Sequence, residues 1–367
     1  MSFLWYWPGG GWDFDKWKSA HPWEPIRSQQ SGSKALVPLI SDTETLAGWK
    51  REAEYWRGIS DQILGTLADK PPAKVTVEYL GARFSTDKYT LQRLRYLLTP
   101  DEWGYAWLLV PKENNDQKKP AVIALHQTTP AGKDEAVGLE LRPGGEYLLY
   151  GVELASQGFV VFAPDAIAFG ERLAEQGGAK YHSGDEFFAA NPQGSVMGKM
   201  AFDTSRAVDV LQSLDFVDGD RIGCIGHSHG AYGTLFAMIQ DPRIKAGVVS
   251  CGVSLLRADP TPQRWWRMTA LMPRLGHYEG RMEDTPIEFH QWIALVAPRP
   301  LMIAGGLHDQ IFPNTAPLRS ALEEVRRIYT LYGAPNDLHA ELFDGPHSFP
   351  DEVRRRAYAM LTGALKH

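Results

Sequence analysis

Ser228 sits in Gly226-His227-Ser228-His229-Gly230, between an apolar run, Ile222 to Ile225, and the segment Ala231-Tyr-Gly-Thr-Leu-Phe-Ala-Met-Ile. Glycines two residues to either side of a serine mark a strand-to-helix turn so tight that a Cβ there would strike neighbouring backbone. The serine is held strained, with its Oγ exposed at the N-terminus of a helix whose dipole favours developing negative charge. The chemistry this suits is nucleophilic attack. Chance can supply the pentapeptide, so the strand before it and the helix after it carry the weight.

A serine hydroxyl is a poor nucleophile at neutral pH and needs a base, oriented in turn by a third group. After such an elbow the partners follow in the order acid, then histidine, each on a loop after a later strand. The strand-like Pro300-Leu-Met-Ile-Ala leads into a loop from Gly305 to Pro313 that carries Asp309. Glu341-Leu-Phe leads into Asp344-Gly-Pro-His347-Ser-Phe-Pro350. Ser228, Asp309 and His347 are therefore the expected nucleophile, acid and base. Asp259, on the loop after the preceding strand, is the fallback acid, and Asp344 reads as a turn former. His227, His229 and His308 neighbour the site without standing where a base must stand. Side chains flanking a sharp elbow diverge, so no metal is expected between His227 and His229. Acyl transfer through this triad requires no cofactor.

The oxyanion formed on attack needs backbone donors. One is expected from His229 and a second from the loop after Ala121-Val-Ile-Ala-Leu, where Gln127 is the first choice and Thr128 the next. His126, Thr128, Trp265 and Trp266 are the expected substrate contacts.

The elements that must position these residues follow from pattern. Pro120–His126 and Phe159–Pro164 are continuous apolar runs of the kind buried on both faces of a sheet. Glu146–Gln157 and Met197–Leu214 have helical periodicity, as does Asp42–Leu67, with Ser41 or Asp42 as its cap. Lys245–Cys251, Pro300–Ala304 and Ala340–Phe343 add strands before a last helix, Pro350–Leu365. Alternation of buried strands and helices predicts a mostly parallel, doubly wound α/β sheet flanked by helices. Lys74–Leu80, Thr90–Thr99 and Tyr105–Pro111 add three strands ahead of it. Residues 1–72 form a tryptophan-rich arm and a helix. The arm, with Trp5, Trp7, Trp12, Trp17 and Trp23, looks too irregular for a helix or a strand and is expected to staple its indoles onto the domain or a partner subunit. Residues 254–296, which hold Trp265, Trp266 and Trp292, interrupt the alternation as a cap-like insertion above the strand ends, where such sheets bind ligands.

The 367 residues, 44% hydrophobic and 22% charged, suit one globular α/β domain spanning 1–367. A net charge of -6 argues against a nucleic-acid or anionic-membrane surface. The first residues lack a basic start and their apolar stretch stops at Pro8, so no signal peptide is expected, and a cytoplasmic location is the default. Cys224 and Cys251, the two cysteines, lie in apolar runs and read as buried small hydrophobes. A homo-oligomer is compatible with the arm.

The blocks His126-Gln-Thr with Gly132-Lys-Asp-Glu, Gly158-Phe-Val-Val-Phe-Ala-Pro-Asp165, Phe169-Gly-Glu-Arg172, Asp218 through Ser228, and Ala297-Pro-Arg-Pro300 stand in order with the Asp309 and His347 loops. In them the chain resembles the α/β-hydrolase superfamily, and most of all its dienelactone-hydrolase-like and acetyl-xylan-esterase-like bacterial esterases. It differs from the former in having a serine where they use cysteine. From the latter it differs in His229-Gly-Ala-Tyr, where they have a glycine-rich stretch containing glutamine. The resemblance implies an α/β-hydrolase fold and a serine carboxylesterase acting on small or medium acyl esters, with acetylated carbohydrate the substrate class to expect. Two rivals stand beside it. One is a serine peptidase of the prolyl-oligopeptidase type, which shares this catalytic domain but usually carries a propeller for which there is no room here. The other is a non-catalytic binding protein, which would not be expected to keep all three triad members.

Overall fold

A computed structural model describes residues 12–33, 35–40, 44–112, 117–313 and 315–366. Nine strands form one sheet: β1 (Val77–Ser85), β2 (Tyr89–Thr99), β3 (Glu102–Pro111), β4 (Lys119–Leu125), β5 (Val160–Pro164), β6 (Val217–His227), β7 (Ile244–Ser250), β8 (Leu301–Gly306) and β9 (Leu338–Phe343). Their spatial order is β1-β2-β3-β5-β4-β6-β7-β8-β9. The first three strands form an antiparallel meander joined antiparallel to β5, and the other six run parallel. Every residue of β4 and β5 is buried, because helices cover both faces of the parallel part. One face carries Leu46–Leu64, Val196–Gln212, His229–Gln240 and Phe289–Ala294; the other carries Tyr150–Ala155 and the C-terminal helix Asp351–Leu365.

Some boundaries move from expectation. The first long helix begins at Leu46 with Thr45 as its cap, while Ser41 and Asp42 lie outside the described residues. Glu146–Gln157 splits into a 3-10 turn, Glu146–Leu148, and a short helix, Tyr150–Ala155. The arm is not wholly irregular. Phe14–Ala20 is a helix capped by Asp13, whose carboxylate accepts the Lys16 N–H, and Phe14 and Trp17, three residues apart, are buried together.

That arm closes on the insertion of its own chain. Trp12 Nε1 donates to the Trp266 carbonyl at 2.9 Å, Tyr278 Oη to the Ile26 carbonyl at 2.9 Å, and Arg267 pairs with Asp15 at 2.8 Å. Trp5 and Trp7 lie outside the described residues. The insertion consists of 3-10 turns and the helix Phe289–Ala294, with Trp265, Trp266 and Trp292 fully buried.

A buried ionic cluster ties the antiparallel edge to the helical layer. Arg172, on the loop after β5, reaches Glu102 of β3 at 2.5 Å and Asp203 at 2.7 Å; Lys199 reaches Glu102 at 2.8 Å and also bonds Asp203. Burial alone would push the Glu102 carboxyl up, but Lys199 and Arg172 hold it well below the usual range. Replacing Arg172 with Met removes one cation and leaves the two carboxylates under-compensated in a dry site. The expected loss is about 3–5 kcal/mol of unfolding free energy, read from urea denaturation of the two proteins.

Candidate active site

The parallel strands deliver Ser228 to the carboxyl edge of the sheet. It follows β6 directly and caps the helix His229–Gln240, with φ 53° and ψ -112°. A serine in that left-handed conformation is strained by roughly 1–3 kcal/mol and persists only where its surroundings hold it. Here its N–H donates to the Ser250 carbonyl at 2.8 Å. The flanking glycines are obligatory: a Cβ on Gly226 would lie 2.2 Å from the Gly230 carbonyl carbon, and one on Gly230 would lie 2.0 Å from the Leu125 oxygen.

Asp309 and His347 meet on the loops after β8 and β9. His347 Nδ1 lies 2.7 Å from Asp309 Oδ2, and Asp309 Oδ1 accepts the Ile311 and Phe312 N–H groups at 2.7 and 2.9 Å. Asp309 is buried, which opposes its charge, yet the His347 bond and the two backbone donors hold its carboxyl below the usual range. The His347 ring packs 4.8 Å from that of His227 and 5.8 Å from that of Phe312. Because His227 immediately precedes Ser228, the histidine loop lies against the elbow.

Asp259 is committed elsewhere. Its carboxylate accepts Ser254 Oγ at 2.6 Å and the Thr261 N–H at 2.8 Å, and it pairs with Arg264 at 2.8 Å. Asp344 pairs with His308 at the surface. The flanking histidines are buried and diverge, His227 toward Tyr147 and Ser250, His229 toward His126, Phe169 and Tyr232. Burial, with a neighbouring imidazole in each case, keeps both well below the ordinary histidine range.

On the other side of the elbow, the loop after β4 holds Gln127 and Thr128. Gln127 is buried; its Nε2 donates to Glu135, and its Oε1 has no partner among the described residues. Thr128 is exposed, with its carbonyl accepting Arg142 Nη2 at 3.1 Å. His126 is buried with both ring nitrogens engaged, Nδ1 with the Gln127 carbonyl at 2.7 Å and Nε2 accepting the Ala166 N–H at 3.0 Å. That pairing places the proton on Nδ1. Trp265 and Trp266 are likewise 0% exposed; Trp265 packs on Tyr232, Phe289 and Phe312, supporting the ring beside His347. His126 and Trp265 pack behind the site, whereas the Trp266 ring lies beside Gly276 and its carbonyl accepts Trp12 Nε1 from the arm.

Sequence patterns gave no warning of Cys251, Glu135 or Arg142. Cys251 has φ 51°, and its Sγ lies within 4.8 Å of ligand atoms of Asp309 and His347; burial, with the Asp309 charge adding, pushes its thiol up to about 12. Glu135 closes the block Gly132-Lys-Asp-Glu and Arg142 lies beyond it, but only the folded loop shows that they meet Gln127 and Thr128.

A nine-stranded, mostly parallel sheet with a strained serine elbow after β6 and an acid–histidine pair after β8 and β9 defines an α/β hydrolase. Within that class the chain belongs to the prolyl oligopeptidase family, which it matches over residues 152–340, a stretch that includes Ser228 and Asp309 and stops short of His347. It is 28% identical over 281 residues to YtaP of Bacillus subtilis (strain 168), a protein named as a hydrolase, covering 74% of this chain and 86% of that one. Among solved structures, the glucuronoyl esterase from Solibacter usitatus superposes with a TM-score of 0.70 at 17% identity, covering 95% of this chain and 99% of that one. A Bacteroides fragilis protein described as an acetyl xylan esterase superposes with a TM-score of 0.61 at 17% identity, covering 91% and 86%. No helix among the described residues is long and apolar enough to cross a membrane.

The lowered Asp309 carboxyl has a consequence for acid stability. Its stabilising contribution is complete above an unfolded value of about 4 and is lost as pH falls through the lower folded value. Asp309→Asn is therefore expected to destabilise the protein at pH 7, with the difference from wild type shrinking below about pH 4. Denaturant titrations at the two pH values measure this; a difference that stays constant means the carboxylate is not held by its partners.

Proposed function

We propose that the protein is a serine carboxylesterase that hydrolyses small or medium acyl esters, with acetylated carbohydrate as its first candidate substrate. The observation that carries this reading is the 2.7 Å bond between His347 and Asp309, with the His347 ring packed 4.8 Å from that of His227, the residue before Ser228. With Nδ1–H donated to Asp309, the imidazole keeps Nε2 as its basic nitrogen. In this scheme His347 takes the Ser228 proton as Oγ attacks the ester carbonyl. The N–H groups of Gln127 and His229 hold the resulting oxyanion, and the helix dipole behind His229 favours the same charge. Collapse breaks the bond to the alcohol, which leaves with the proton from His347. Water, deprotonated by the same histidine, then attacks the acyl-enzyme and releases the carboxylic acid and free Ser228.

The esterase names carried by the structural neighbours support the ester over the amide. Family membership favours a second reading, a peptidase using the same residues. A panel of p-nitrophenyl esters of increasing chain length, together with acetylated xylan and a peptide amide, separates the two. The expected outcome is turnover of short esters, with little of the amide; faster amide cleavage selects the peptidase. Ser228→Ala is expected to lower kcat by about 10³-fold or more, and near-full activity in that variant would sink the scheme.

A further inference from the structure

The oxyanion loop has a fastening outside the triad. Glu135, on the short helix Lys133–Ala136, is 1% exposed and lies in the middle of it. One carboxylate oxygen, Oε2, accepts the Gln127 side-chain amide and Arg142 Nη2, the latter at 2.8 Å. The other, Oε1, accepts Arg142 Nε at 2.5 Å. Arg142 Nη2 also donates to the Thr128 carbonyl at 3.1 Å, so one guanidinium fork spans Glu135 and the loop backbone. Gln127 and Thr128 are thereby gripped from the same side, one through its amide and one through its carbonyl. Five residues beyond Thr128, Lys133 anchors the far end of the loop, its N–H donating to Asp165 at 2.8 Å and its Nζ at 2.7 Å.

These bonds matter because Gln127 and Thr128 lie beyond β4, with no strand ladder to orient their peptides. An oxyanion hole is effective only when its donors are aimed before charge develops, and a displacement of about 1 Å can cost 10²-fold in rate. Buried ionic groups cost desolvation, so a carboxylate kept dry here needs a reason to be there. We propose that the Glu135–Arg142 pair is the positioning device of the oxyanion loop, acting through Gln127 and Thr128 without touching the substrate. The proposal rests on the serine-hydrolase scheme above and extends it to two residues outside the serine elbow and the acid and histidine loops.

The test is the rate at which an alkyl fluorophosphonate labels Ser228. In that step Oγ bonds to phosphorus, fluoride leaves, the serine proton goes to His347, and charge builds on the phosphoryl oxygen in the oxyanion hole. Glu135→Gln keeps the shape but releases the fork, and should slow labelling and ester kcat by about 10–100-fold with KM little changed. Arg142→Lys keeps the charge but cannot span Glu135 and Thr128, and should give a smaller loss of the same kind. Its side chain is 43% exposed, so this variant supplies the answer should Glu135→Gln fail to fold. Rates are taken per folded molecule, with circular dichroism as the check. Wild-type rates in the folded variants overturn the proposal, as does a rise in KM with kcat intact, which would put the pair in substrate binding. A wild-type protein that does not label overturns the esterase scheme and this proposal together, whereas labelling that is equal in all three proteins overturns this proposal alone.

Discussion

The contact on which the rest of the site depends is a backbone approach with no room for a methyl group. Gly226 and Gly230 face each other across the turn at Ser228, and Gly230 in turn sits against the carbonyl of Leu125, the last residue of β4. One close-packed point thus joins the nucleophile strand, the helix that follows it and the strand that ends in the oxyanion loop. On the other flank, the bond from Ser228 N–H to Ser250 ties the strained residue to the end of β7. The strain at Ser228 is held by the parallel ladders of β6 with β4 and β7, so the nucleophile is as rigid as the middle of the sheet.

Around that rigid point the site is built from loops, and loops have no ladder of their own. Buried charge takes the ladder's place. Asp165 pairs with Lys133, Asp259 with Arg264, Glu135 with Arg142, and Arg172 bridges Glu102 and Asp203. The Asp165–Lys133 and Arg172 pairs tie loops leaving the carboxyl edge to neighbouring elements, while Asp259–Arg264 and Glu135–Arg142 brace a single connection from within. Desolvation makes such pairs poor sources of net stability. Their effect is geometric, because a buried charge tolerates only the arrangement in which its partner is present. Asp309 and Asp259 show the consequence: both are buried carboxylates on loops after adjacent strands, but the groups that face them differ. Asp309 faces an imidazole and two backbone donors, while Asp259 faces the hydroxyl, amide and guanidinium of its own insertion.

The parallel strands and most long helices are legible in the sequence because burial on two faces, or on one helical stripe, leaves a periodic trace in residue type. The arm illustrates the limit. Its glycines, prolines and tryptophans have no sustained period, and the helix Phe14–Ala20 exists because Asp13 caps it and the insertion covers Phe14 and Trp17. Helix Thr315–Leu331 carries Pro317 in its first turn, where proline is tolerated although along the chain it signals a break. Trp265 and Trp266 mark another limit. An aromatic pair in an insertion above the strand ends reads as a cleft wall, yet both rings are buried, and nothing in their spacing distinguishes an aromatic that lines a cleft from one that supports its wall.

What the sequence determines by itself is therefore the topology and the chemistry that travels with it. The elbow's glycines are a steric requirement written locally, and the order of serine, acid and histidine follows the order of the parallel strands. What only the tertiary structure decides is which polar groups face one another once the loops are folded. Asp309 meets His347 while Asp259 does not, Cys251 ends beside the acid–base pair, and Glu135 and Arg142 reach Gln127 and Thr128. Those pairings join residues that have no fixed spacing along the chain. They are set by packing and by the cost of leaving a charge buried alone, and neither leaves a pattern along the chain.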